Sequence, residues 1–161
     1  MVATFSWVEF NGSAATESTP TQLNFVSVDA ANANASDNPI TAGEHSYEKW
    51  IKADFSGSFT RIDNIKFWKS AGSYVTGETI DWKGDGQTSF VEPTNSESTI
   101  AVTALPTSEP SEANVSISGA TSGELTAAGR SDYIVMQKHI STAASPGQTN
   151  TLTFTLSYDE V

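Results

Sequence analysis

The stretch "NTLTFTLSY", Asn150–Tyr158, decides how this chain is read. Leu152, Phe154, Leu156 and Tyr158 occupy alternate positions, and Thr151, Thr153, Thr155 and Ser157 occupy the positions between. Side chains alternate across an extended strand, so this spacing sends four bulky groups to one face and four hydroxyls to the other. The segment reads as a half-buried strand with a solvated, largely β-branched outer face.

The same period recurs upstream. "DYIVMQKHI" (Asp132–Ile140) is a second strong strand, and "YEKWIKADF" (Tyr47–Phe55) sets Tyr47, Ile51, Ala53 and Phe55 against Glu48, Trp50 and Lys52. In "RIDNIKFWKSAGSY" (Arg61–Tyr74), Phe67 and Trp68 are neighbours and must point to opposite faces, with Ile65 and Phe67 expected opposite Ile62 and Trp68. "TFSWVEF" (Thr4–Phe10) has Phe5 and Trp7 on one face and Val8 and Phe10 on the other, which suits a strand buried on both sides or one with a bulge. "QLNFVSV" (Gln22–Val28), "YVTGETIDW" (Tyr74–Trp82), "STIAVTAL" (Ser98–Leu105) and "NVSIS" (Asn114–Ser118) complete the set.

Polar connectors rich in Gly, Pro, Asn, Ser and Thr separate these segments, as in "DAANANASDNPITAG", "PTSEPSEAN" and "STAASPGQTN". None holds a sustained helical period; at most a turn or two of helix is expected near "DAANANA" or "TAGEHSYEKW". Pro106 and Pro110 mark an exposed crossing loop. The pattern predicts an all-β protein: one domain over residues 1–161, a single antiparallel β-sandwich of jelly-roll or immunoglobulin-like type, with about eight or nine strands and long polar loops.

A chain of 161 residues can bury roughly 70% of its unfolded surface. It contains no cysteine, so disulfides, thiolate nucleophiles and Cys-based metal sites are excluded. Nineteen acids against 8 bases give a net charge of -11, which repels phosphate backbones and argues against nucleic-acid binding. No stretch is apolar enough for a membrane helix, and the start "MVATFSWVEF" lacks the pattern of a secretion signal. Synthesis in a cytoplasm is therefore expected, and the "NGS", "NAS" and "NVS" triplets are read as chance matches to the glycosylation pattern.

Catalysis requires acid, base and nucleophile to converge. The two histidines, His45 and His139, read as surface or edge residues, and no hydrolase, zinc-protease, P-loop or dinucleotide motif occurs. No enzyme activity, cofactor or metal is expected. Asp81 and Asp85 in "DWKGDG", and Asp29, Asn32, Asn34 and Asp37 in "DAANANASDN", could approach calcium, but they lack the spacing of a calcium loop and read as turn formers. Trp50, Trp68 and Trp82 stand beside charged residues and are the candidates for an outward aromatic surface, either a protein interface or a platform on which a glycan stacks.

The segment "SYEKWIKADFSGSFTRIDNIKFWKSAG" (Ser46–Gly72) is similar to part of the small β-rich structural proteins of tailed bacteriophages, including capsid decoration, or cement, and other auxiliary head proteins. "GELTAAGRSDYIVMQ" (Gly123–Gln137) and "TFTLSYDEV" (Thr153–Val161) extend the resemblance. It implies a non-enzymatic virion component, assembled in the host cytoplasm, that binds the major capsid protein or other virion proteins and is often oligomeric. A carbohydrate-binding module and a tail or neck component are the alternatives.

Overall fold

In the computed structural model, which describes residues 2–147 and 150–161, the strongest period-two segments become the longest strands. The elements are β1 (Ala3–Asn11), β2 (Thr16–Ser18), β3 (Lys49–Gly57), β4 (Ile62–Ala71), β5 (Glu78–Lys83), β6 (Thr103–Ala104), β7 (Gly129–Arg130), β8 (Ile134–Ile140) and β9 (Thr153–Glu160). Among the described residues there is no helix, and "DAANANA" and "TAGEHSYEKW" hold only turns, bends, a single bridge and the start of β3. Gln148 and Thr149 of the "STAASPGQTN" connector lie outside the described residues.

The protein is all-β and every strand pairing is antiparallel. Seven strands form one sheet in the order β2-β1-β3-β8-β5-β6, with β7 also paired to β3, while β4 and β9 form a separate ribbon. Ile62, Ile65 and Phe67 of β4 and Phe154, Leu156 and Tyr158 of β9 share a core with Ile51, Ala53, Phe55, Ile80, Trp82, Ile134 and Met136 of the large sheet. The four bulky residues of "NTLTFTLSY" therefore face inward, as their spacing required. The second layer is a two-stranded ribbon rather than a sheet matching the first.

Part of the opposite face of the large sheet is covered as well. Val8, Phe10, Trp50, Tyr133 and Val135 form a second apolar cluster with Ala101, and Phe90 and Ile100 from the β5–β6 connector pack onto it. This explains the two-faced pattern of "TFSWVEF": Phe5 and Trp7 pack on the ribbon side and Val8 and Phe10 on the other.

Four segments depart from the expected strands. Ile62 and Ile65 do not take opposite faces, because a register shift between Asp63 and Lys66 inserts one residue; both side chains are buried. Asn64 within the shift adopts φ 49°, a left-handed conformation that Asn tolerates better than most residues. "QLNFVSV" forms no strand, although Phe25 and Val26 are buried. "NVSIS" forms no strand, its one β-bridge being Ile117 to Ala120, and of "STIAVTAL" only Thr103–Ala104 forms a strand.

Loops take the place of those strands along the far edge of β4. Asn114 Oδ1 accepts from the Phe67 N–H at 2.8 Å, and its Nδ2 donates to the Phe67 carbonyl at 2.9 Å. The Asn114 and Val115 N–H groups donate to the Ile65 carbonyl, and the Lys69 N–H donates to Pro106. One amide side chain thus imitates a paired strand residue. Asn114→Ala leaves both Phe67 backbone groups without partners, and urea denaturation is expected to show a loss of about 1–3 kcal/mol. A variant as stable as the parent would show that those bonds contribute nothing.

Candidate interaction surface

The three tryptophans singled out by sequence do not form one surface. Trp50 is fully buried, enclosed by Phe90 at 5.2 Å and Tyr133 at 5.4 Å between ring centroids, and its Nε1 donates to Glu48 at 3.0 Å. Trp82 is 7% exposed and lies against Phe67 in the other cluster, across the sheet from Trp50. Only Trp68 keeps a partly open face, opposite Thr155 on the outer side of the ribbon. The expectation of outward rings at Trp50 and Trp82, and of a glycan platform that needs two of the three, is corrected accordingly.

The charged neighbours Glu48 and Lys49, which suggested exposure at Trp50, are themselves buried. Lys49 Nζ contacts Glu9 Oε1 at 2.8 Å with side chains 1% and 0% exposed, and it also donates to the Ala30 carbonyl. Glu48 accepts from both Trp50 and the Ser98 hydroxyl. Gln137, fully buried, accepts from the Ser98 N–H and donates to the carbonyls of Ser46 and Ser96. These bonds fasten residues 94–98 over β3 and β8. A charged residue in a strand marks the surface only where the sheet has a wet face; around Trp50 this sheet is covered on both.

Of the calcium candidates, Asp29 accepts from the Asn11 side chain and the Gly12 N–H, Asn32 from Thr21, and Asn34 from Ser36. Asp85 is exposed in the turn after β5. Among the described residues no three His, Asp or Glu side chains gather as a metal site would need.

The histidines behave in a way sequence did not anticipate. His45 and His139, 94 positions apart, form an isolated bridge with ring centroids 4.6 Å apart. His139 Nε2 lies 3.4 Å from Asp81 Oδ2, yet neither it nor His45 Nδ1 makes a hydrogen bond among the described residues. Among the described residues no hydroxyl is hydrogen-bonded to His45 Nδ1 or His139 Nε2. Burial lowers the His139 pKa below the ordinary histidine value; His45 pushes the same way, and Asp81 and Glu97 oppose it.

The accessible features lie along β9. A cleft of about 160 Å³ is lined by Trp7, Leu23, Ile51, Phe67 and Phe154. A neighbouring hollow of about 350 Å³ shares Leu23 and Phe154 and adds Phe25, Lys138, Asn150 and Leu152. Backbone accounting identifies an open edge beside them. The outward groups of β4 are those of Ile65, Phe67 and Lys69, so Lys66 and Trp68 turn toward their register partners Ser157 and Thr155. On β9 the backbone groups of Phe154, Leu156 and Tyr158 therefore point away from β4, and among the described residues none of them finds a protein partner.

The fold and this surface define an all-β, antiparallel protein whose last strand, β9, has an unpaired outer edge among the described residues. No protein-family model matches the chain, and neither a curated protein nor a solved structure is significantly similar to it.

The His139 environment has a measurable consequence. The fold favours the neutral ring, so below the ordinary histidine pKa of about 6.5 the unfolded chain binds more protons than the folded one. Stability is full above that pH and falls as pH drops through the window between 6.5 and the lowered folded value. Thermal midpoints recorded from about pH 8 to 5 should fall more steeply below 6.5 for the parent than for His139→Gln. Parallel curves would exclude His139 as the source.

Proposed function

We propose that this protein is a non-enzymatic structural component of a tailed-bacteriophage virion, acting as a head decoration protein that binds and stabilises the capsid lattice. One observation carries the reading: the groups that could perform chemistry or stack on a ligand are spent inside the fold. Trp50 and Trp82 fill the two clusters, Glu48, Lys49 and Gln137 bind other buried groups, and the histidines pack against each other with no hydroxyl hydrogen-bonded to His45 Nδ1 or His139 Nε2 among the described residues. What remains outside is a rigid body with loop-covered sheet faces, the half-open Trp68 and a strand edge. Those features suit holding, and the resemblance of Ser46–Gly72 to phage structural proteins supplies the context.

Several weak contacts made together by an oligomer on a repeating lattice give tight attachment without any single strong site. The net charge of -11 would keep free copies apart in solution until a complementary surface is met.

Mass spectrometry of purified particles is expected to find the chain at a copy number commensurate with the head lattice. Added to expanded heads that lack it, the purified protein should bind and raise the temperature at which they open. Its absence from particles would end the reading, and a copy number of only a few per particle would move it to the tail or neck.

A further inference from the structure

We infer that β9 pairs with β9 of a second copy, antiparallel across a two-fold axis at Leu156, joining the two ribbons into one four-stranded sheet. The inference does not rest on a role in virions; strand pairing of this kind would hold in dilute solution.

Most other edges of the molecule are short or bonded; the Ala3–Val8 half of β1 lies beyond the reach of β2, and there the Ala3 N–H donates to the Glu160 side chain while Phe5 and Trp7 have no backbone partner on that side among the described residues. β2, β6 and β7 run three residues or fewer, and the far edge of β4 is bonded by Asn114, Val115 and Pro106. β9 has eight residues, and from Thr153 to Tyr158 it carries no charge and no proline. Lysines, prolines or inward charges are the usual devices that keep a free edge from pairing, and this segment has none of them.

The free groups also choose the partner. They belong to Phe154, Leu156 and Tyr158, every second residue, which is the spacing another strand presents. A second β9 presents the same three. Centred on Leu156, an antiparallel pair sets Leu156 against Leu156 and Phe154 against Tyr158 twice, so that every free N–H meets a carbonyl. Thr155 then lies opposite Ser157 on the outer face, in the closely spaced class of pair. The same register sets Asp159 and Glu160 against Thr153 and Leu152. Parallel pairing would stack acid on acid, and on a chain of net charge -11 that arrangement is disfavoured. The contact is isologous and closes at two copies, so it limits assembly instead of propagating it.

Sedimentation and light scattering on the full chain test this. The parent should show twice its monomer mass of 17.1 kDa at micromolar concentration. The variant Thr155→Glu/Ser157→Glu places like charges opposite each other, as does Thr155→Lys/Ser157→Lys; each should self-associate roughly ten- to thirtyfold more weakly. Mixing the two should restore a dimer containing one of each. Circular dichroism shows whether each variant is folded. If either is not, cysteine pairing decides, since the parent has none. Thr155→Cys mixed with Ser157→Cys should oxidise to a covalent dimer, and each alone should do so far more slowly. A monomeric parent, a dimer indifferent to charge at these two positions, or cross-linking without preference for the mixed pair would each overturn the inference.

Discussion

The large sheet is covered on both faces around the start of β3, and that constraint governs much of the rest of the structure. A sheet with one wet face can place charged residues outward on alternate positions. Here Glu48, just before β3, and Lys49 and Trp50 at its start are all buried. Each charge must then find a partner inside. Lys49 meets Glu9 on the ribbon side; Glu48 meets Trp50 and Ser98 on the other. Such pairs add little net stability compared with a well-packed apolar alternative, but removing one partner costs about 3–5 kcal/mol. Their effect is to select one arrangement: Lys49 also reaches the Ala30 carbonyl, and Ser98 and Gln137 fasten the connector over the second cluster.

The two coverings are built differently. On one side a strand ribbon, its ladder broken by two register shifts, interdigitates aromatic rings with the sheet: Phe67 packs against Trp7, Trp82 and Phe154, and Tyr158 against Phe55. On the other side the cover is irregular chain, and its backbone bonds go to side chains such as Gln137. Because the ribbon has only two strands, Phe5 and Trp7 of β1 are incompletely covered, the cleft beside Leu23 stays open, and β9 is left with a free edge. The features open to a partner are thus a consequence of the unequal layers.

Much of this was legible beforehand. Period-two spacing located β1, β3, β4, β8 and β9 and the inward face of "NTLTFTLSY". The two-sided burial of "TFSWVEF" was also written in its residues. The aromatic surface was misread at Trp50 and Trp82, because charged neighbours were taken as a mark of water. The phase at Ile62 was misread because one inserted residue reverses every side chain before it, and nothing in "RIDNIK" announces the insertion. The histidine pair could not be seen, since sequence distance does not encode a bridge over 94 positions.

By itself, then, the amino-acid order determined the all-β class, the long strands and their inner faces, because side-chain alternation is a local property of extended backbone. It also removed thiol chemistry by containing no cysteine. Only the tertiary structure decided which faces were wet, which charges were paired and which strand edge stayed free. Those depend on what lies across the sheet, and covering is supplied by segments remote in the chain: Phe90 over Trp50, Asn114 along β4, and no described residue along β9.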